Sequence, residues 1–519
     1  MRRETVIPTG VAAVVVVLCA YLLSTPQTGN LQLVAAALLL LLYLGVTLVR
    51  PALGLMLLSA TTPFLGVLRR VLYQQSPTGF DPLLLVIPIY SAFMLLAITV
   101  THREKFHALL HASMTARLLL ALMGILALQI VNPLQGGLTV GLAGALFYLV
   151  PLVWFFIGRV FLTEQTTRRL LTIFVVASIA AAAYGLMQTF VVYPSFDIYW
   201  ITQNSKSYQA LSVNGFIRAL GPTTSAAEYA GFLSSGLACL FALVVFKRRL
   251  VAVVPAILLG TALVLESSRG AVLSLVVIAG ALLALRQKSK PVALIVIGLL
   301  CLGAALIYWR LGQAVYTAAP SSSAQLGGFL SHQINGLAHP LDQKYSTGQL
   351  HFQEILNAFA TSLHNPLGFG LGATTLATAK FGATALSAEL DIPNVFLSGG
   401  LIAGILYAII LYRFFRDGAR VVFRDKHIID VMAFAIVAVA FGQILNGSYY
   451  SLMPFLWMFI AWIDSRAAPA LALAPSKALL SWRDPQTTVE LAHGRFPKVR
   501  AVLWRTVAFR VELLGNRRR

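Results

Sequence analysis

Apolar residues in this chain neither alternate with polar ones nor keep to one helical face. They run on for about twenty residues at a time, the length a helix needs to cross ~30 Å of hydrocarbon. About fourteen such runs can be marked, the first seven near residues 6–24, 30–49, 51–67, 82–101, 117–132, 139–161 and 169–190. The other seven lie near 226–246, 250–266, 270–286, 291–308, 393–414, 429–446 and 450–464. The break at Arg50-Pro51 is the least sharply drawn, and a re-entrant pair there is the alternative to two spans. Membrane strands would alternate over about ten residues. The pattern therefore predicts an all-α, polytopic transmembrane helical bundle over residues 1–464.

Two interruptions are too long to be turns. Residues 191–217 carry Tyr193, Phe196, Tyr199, Trp200 and Tyr208 with Asp197, Asn204 and Lys206. Residues 309–392 form a longer loop inserted in the bundle, with a small, polar run at 318–328 in its first half. Its second half returns to helical spacing at Leu350, Phe352, Ile355, Leu356, Phe359 and Leu363, then stops at Asn365-Pro366. After the last run, residues 465–519 turn from Pro- and Ala-rich to basic and aromatic, with Phe496, Trp504 and Phe509 amid Lys498, Arg500, Arg505 and Arg510. That predicts a basic cytoplasmic tail lying on an anionic leaflet. No internal repeat suggests the inverted halves of a transporter.

Composition agrees with the pattern: 58% of residues are hydrophobic, 11% are charged, and mean hydropathy is +0.81. A soluble domain has about a quarter charged residues. A net charge of +21 would point a soluble protein toward nucleic acid. Here the basic residues collect in alternate connections, at Arg50, Arg103 and Lys105, Arg168 and Arg169, 247–249, 286–290 and 413–426. The connections at 25–30, 132–139 and 446–450 have no Lys or Arg at all. The positive-inside rule then predicts cytoplasmic termini and an outer 309–392 loop, with Arg69 and Arg70 as exceptions. Residues 1–4 and the apolar 6–24 resemble a signal sequence without a small-x-small cleavage site, and read as an uncleaved first span. Cys19, Cys239 and Cys301 all lie in apolar runs, with neither metal nor disulfide spacing.

Charged residues at the ends of spans are costly and serve as candidates for function. Arg218, in FIRALGPTTSAAEYAG, precedes the eighth span, and Glu228 follows within its first turns. Arg269, in LESSRGAV, opens the tenth span beside Glu266. Both arginines fall on the predicted outer side, against the charge trend. A lipid-linked diphosphate would account for them, because a guanidinium fork matches phosphate oxygens and helix N-termini add positive potential. Intramembrane pairing, Arg218 with Glu228 or Arg269 with Glu266, is the alternative.

The stretch 346–404 holds the other candidates. His351 lies on the loop helix, and histidine is the usual group for moving a proton near neutral pH. His364 precedes Asn-Pro-Leu-Gly-Phe-Gly-Leu-Gly, where Gly368, Gly370 and Gly372 suit a tight turn with exposed amides. His364 itself also suits a helix C-terminus, where the dipole favours it. Glu389 and Asp391 could orient a base, pair with an arginine, or form a solvated face. His107 and His111 are four apart with no carboxylate between them, and read as interfacial side chains. Without nucleotide fingerprint, CxxC pair or Asp-rich motif, the chemistry expected here uses no cofactor and no metal.

In order along the chain, Arg-x-x-Gly at 218–221, Ser-Arg-Gly at 268–270, HNPLGFGLG in the long loop, and Asn394-x-Phe396-Leu397 leading into Gly-Gly-Leu-Ile resemble the bacterial O-antigen polymerase and O-antigen ligase superfamily. These are integral-membrane glycosyltransferases of the GT-C type, and the resemblance covers roughly residues 217–462. It implies a GT-C-like bundle in the bacterial cytoplasmic membrane and an inverting, metal-independent transfer from an undecaprenyl-diphosphate-linked oligosaccharide at the periplasmic face. It implies that Arg218 and Arg269 hold the donor diphosphate, and that the loop supplies the acceptor site and a general base. Membrane lipids, a chain-length regulator and a flippase are the partners that follow; nucleic acid is not. Two departures matter. Many members have a loop-helix arginine near Gln349, where this chain has His351, and many ligases have a His-Asn pair where this chain has Glu389, Asp391 and Asn394. Both favour the polymerase subgroup, with His351 as base or acceptor-positioning group and Glu389 or Asp391 as substitute. A ligase, and in a different class a lipid-linked oligosaccharide flippase, are the alternatives. Trp200 and Tyr199 are read either as platforms for sugar rings or as members of an interfacial aromatic belt.

Overall fold

The computed structural model describes residues 30–77, 81–204, 212–213, 216–286, 331–332, 335–336, 339, 342, 348–375, 378, 386, 390–445 and 450–467. The expected runs near 6–24 and 291–308, Glu389, and the tail beyond residue 467 lie outside these. The described part is all-helical apart from one two-residue antiparallel pairing, β1 (Ser212–Val213) with β2 (Phe216–Ile217). In order, the first helices are α1 (Asn30–Val49), α2 (Pro51–Thr61), α3 (Leu65–Gln75), α4 (Val86–Thr101), α5 (Arg103–Ala112) and α6 (Met114–Leu128). Then come α7 (Leu138–Phe161), α8 (Glu164–Phe190), α9 (Ser195–Asn204), α10 (Ala226–Lys247), α11 (Val253–Glu266) and α12 (Arg269–Arg286). The last four are α13 (Gly348–His364), α14 (Asp391–Asp425), α15 (Ile428–Val439) and α16 (Met453–Ala467).

Among the described residues, nine helical segments are long and apolar enough to cross a membrane, so the chain is a multi-pass membrane protein. The bounds differ from the hydropathy pattern where packing, rather than apolarity, ends a helix. Pro51 at N1 starts a segment that runs to Gln75, interrupted only by a 3-10 turn at Thr62–Phe64. The run near 393–414 is the first two-thirds of a 35-residue helix, whereas the run near 429–446 is helical only to Val439.

The core centres on α16. Its residues from Met453 to Ile463 are all buried, and it packs on α7, α14 and α15. A helix that is apolar all round has to be surrounded by others. Gly158 lets α7 approach, since a Cβ there would come within 2.7 Å of Ala461 Cβ. A second cluster joins α8, α10, α11 and α12. Val254, Ile257, Leu96 and Val176 are exposed, as expected of residues facing lipid.

Arg69 and Arg70, the exceptions to the charge pattern, are buried here. Arg69 Nε donates to Asp81 at 2.5 Å, and its guanidinium lies over the Trp200 ring. Arg70 is 1% exposed, and its Nε donates to Asp197, which is fully buried, at 2.5 Å. The two arginines act as internal ties, so they carry no information about orientation.

Candidate functional site

Arg70 also reaches the segment that carries Arg218. Its Nη2 donates to the Gly221 carbonyl at 2.6 Å, and its Nη1 donates to the Thr223 carbonyl. From α8, Gln188 Oε1 accepts from the amides of Leu220 and Gly221, at 3.1 and 2.8 Å. Gly221 has φ +56, a left-handed turn that favours glycine, and a Cβ there would strike the Tyr229 ring. Glu228 closes the frame. Its carboxylate accepts from Thr224 N and Oγ1 on one side and from the Ser451 and Leu452 amides on the other. Glu228 is therefore a fully buried tie between the start of α10 and the start of α16, and Arg218 pairs with a different carboxylate.

That carboxylate is Glu266, the last residue of α11. Arg218 Nε donates to the Glu266 carbonyl at 2.9 Å, and Nη2 donates to its Oε1. Ser267, at φ +68, then turns the chain so that Arg269 begins α12. The Arg218 and Arg269 guanidiniums are close enough to act on each other electrostatically. Residues 332 and 336 of the long loop also come here, which nothing in the hydropathy pattern foretells. Gly336 packs on Arg269, and a Cβ at 336 would collide with its guanidinium. His332, four residues earlier and half-buried, sits within the fields of both arginines. Burial first, then the Arg269 and Arg218 charges, lower its imidazole from the usual 6.5 to about 4. This brings two guanidiniums and a neutral imidazole from three parts of the chain to one corner, where Glu266 holds Arg218, a donor-rich corner suited to an anion.

The second half of the loop goes elsewhere. Helix α13 packs along α14, with the Phe359 and Phe396 rings 4.4 Å apart. His351 is half-buried on α13, with Nδ1 3.5 Å from Glu354 Oε2. His364 ends the helix and is exposed, with the Asn365 amide bonding back to Thr361 at 2.9 Å. The glycine run after it does make tight turns: Gly368 has φ +82 and Gly370 φ +97. Its amides, however, are not exposed. Phe369 N donates to Leu397 O at 2.8 Å, Gly370 N to Ser398 O at 3.1 Å, and Gly372 N to Gln135 Oε1 at 3.0 Å. The first two of these bonds fill a break in α14 at Gly400, whose φ of +79 and ψ of −177 are not helical. Leu401 N correspondingly donates to Pro366 O at 2.9 Å. The expectation of exposed amides is thus corrected: the run is a clasp that re-satisfies the backbone of a broken spanning helix.

Asp391 opens α14 and is 1% exposed. Its Oδ2 accepts from Tyr407 OH at 3.1 Å, Leu445 N at 2.8 Å and Ile444 N, and its own amide donates to Gly442 O at 2.7 Å. It caps the turn after α15, so a role as an accessible base or solvated face does not fit it. Asn394, one turn on, is also buried. Trp200 is 6% exposed and packs edge-on to Tyr73 at 5.1 Å, which removes it as a sugar platform. The structure therefore joins Arg218, Arg269, Glu266 and His332, and places His351 on α13 and Asp391 in separate networks. Compared with known protein families, curated proteins and solved structures, the chain matches none.

Proposed function

We propose that the chain is an inverting, metal-independent glycosyltransferase that takes a glycan from an undecaprenyl-diphosphate carrier and lengthens a lipid-linked repeat unit, as an O-antigen polymerase does. In this reading the bundle is GT-C-like with about fourteen spans, sits in the bacterial cytoplasmic membrane with both termini inside, and carries the site at the periplasmic face. The observation that carries it is the meeting of Arg218 and Arg269 at one corner of the bundle, on a frame tied by Arg70, Gln188 and Glu228. Pre-positioned guanidiniums favour a leaving diphosphate, whose charge grows as the glycosidic bond breaks. The acceptor hydroxyl attacks the anomeric carbon. The bond from that carbon to the carrier's phosphate oxygen breaks, and its electron pair leaves with the diphosphate held by the arginines. The hydroxyl proton passes to a base; the candidate is His351 on α13, which would serve only with α13 brought to the arginines' corner by the bound substrates.

Surface polysaccharide from cells carrying Arg269→Ala, with the variant accumulating normally, should be reduced to single repeat units. A wild-type length distribution would overturn the assignment. Long glycan that is made but left unattached would indicate a ligase. Lengthening of lipid-linked repeats by purified protein in detergent excludes a flippase, because no barrier remains to cross.

A further inference from the structure

Three helices give the height at which the second half of the long loop docks. Their common starting level is a charged end of the bundle. There Arg413 Nε on α14 donates to Thr115 Oγ1 at 3.4 Å, and Asp464 accepts from Ser113 Oγ at 2.8 Å and pairs with Arg159 of α7 at 3.2 Å. Along α14, Leu401, which donates to Pro366 O, is twelve residues from Arg413, or about 18 Å. Along α6 and its 3-10 end, Gln129, whose Nε2 donates to Leu367 O at 2.8 Å, is fourteen residues from Thr115, or about 21 Å. Along α7, Gly144, where a Cβ would meet the Leu371 carbonyl carbon at 2.4 Å, is fifteen residues from Arg159, or about 22 Å. Tilt only shortens these heights. The hydrocarbon layer is ~30 Å thick, so all three paths stop about 8–12 Å short of its opposite surface.

The face that the loop shows at this height is apolar. Leu363 is 66% and Leu367 75% exposed, and Leu128, Leu142 and Ile402 on the neighbouring spans are exposed as well. We infer that residues 363–371, the last turn of α13 and the glycine turns after it, are re-entrant: they lie in the hydrocarbon layer, and lipid acyl chains cover their exposed face. Non-helical backbone at such a depth is tolerated only where the protein itself satisfies it. The clasp meets that condition. Besides its amides bonded to α14 and Gln135, the Leu367 and Gly368 carbonyls accept from Gln129 Nε2 and Asn132 Nδ2, at 2.8 and 3.0 Å. Pro366 has no amide to satisfy, and its carbonyl takes the Leu401 amide. His364, also exposed, is the polar side chain of this segment that the layer must accept. The inference needs only a bundle that spans a membrane, and stands apart from the proposed glycosyl transfer.

The test uses the purified full-length chain in vesicles of phosphatidylcholine and phosphatidylglycerol. Leu367→Cys, combined with Cys19→Ala, Cys239→Ala and Cys301→Ala, carries an environment-sensitive fluorophore. Ile405→Cys, exposed on α14 between the break and Arg413, is the control for lipid. Arg420→Cys, seven residues past Arg413, is the control for water. The label at 367 should lose most of its emission to lipids with a nitroxide midway along the acyl chain and almost none to iodide present on both sides, as at 405; the label at 420 should do the reverse. Leu363→Cys, one turn earlier, repeats the comparison. Should the alanine background fail to accumulate, the native cysteines are kept and the signal of the labelled wild type is subtracted. Iodide quenching at 367 as strong as at 420 puts the segment in water and overturns the inference. Quenching by neither agent means that protein covers this face, and overturns it equally.

Discussion

Asp197 and His332 sit among different neighbours. Arg70, Tyr184 and Gln188 all donate to the Asp197 carboxylate, at 2.5, 2.9 and 2.6 Å. Removing that charge leaves Arg70 buried without its carboxylate, so Asp197→Asn should cost about 3–5 kcal/mol, read as a lowered melting temperature in detergent. His332 is instead held neutral, which makes stability depend on pH with a definite sign. Its folded value of about 4 lies below the usual 6.5, so on acidification the unfolded chain takes up the proton first. Stability should therefore fall as pH drops from about 6.5 to about 4, and His332→Gln should flatten that part of the melting curve. The sequence exposed Arg218 and Arg269 because arginine beside an apolar run is conspicuous. It could not show that Arg218 would choose Glu266, 48 positions away, over Glu228 only ten away. Nor could it show His332, a lone histidine in a polar stretch, until the fold brought that stretch to the arginines.

At the scale of elements, apolar length fixed the helices well and their ends poorly. The end of α13 at Asn365-Pro366 was readable, since a residue before proline disfavours helix. The break in α14 was not, because Gly399 and Gly400 sit inside an unbroken apolar run, and only the turn segment at 366–370 explains them. A Cβ at Gly400 would strike Pro366 O, and the backbone there is in a region almost confined to glycine. Gly400→Ala should therefore destabilise by about 2–4 kcal/mol, measured as lost monodisperse protein on heating. Ala403, also buried on α14 but in regular helix, is the control: Ala403→Gly should cost only about 1 kcal/mol.

For the whole molecule, the division into bundle, inserted loop and basic tail follows from composition alone, because lipid and water accept different residues. Which corner holds the site does not follow from it, since that depends on contacts between distant parts of the long loop and the spans. Two groups of loop residues go to two places: 332 and 336 to the arginines, 348–375 to α14 and the α6–α7 connection. Their separation predicts distinct phenotypes. Arg269→Ala should abolish chain growth and pyrophosphate binding together, whereas His351→Ala should leave pyrophosphate affinity within about twofold while lowering transfer by 10²-fold or more. Parallel loss of both properties in His351→Ala would merge the two places into one.

The break at Gly400 also bears on how the chain is assembled. Synthesis runs from the N-terminus, so residues 366–370 have left the ribosome before α14 enters the membrane. On entry, the carbonyls of Leu397 and Ser398 and the amide of Leu401 have no partners within their own helix, and hydrocarbon offers none. They are satisfied only when the earlier segment folds back onto them. Loop docking, rather than helix insertion, is then the step that completes this part of the bundle, and a nascent chain arrested before it should remain open to protease between 366 and 390.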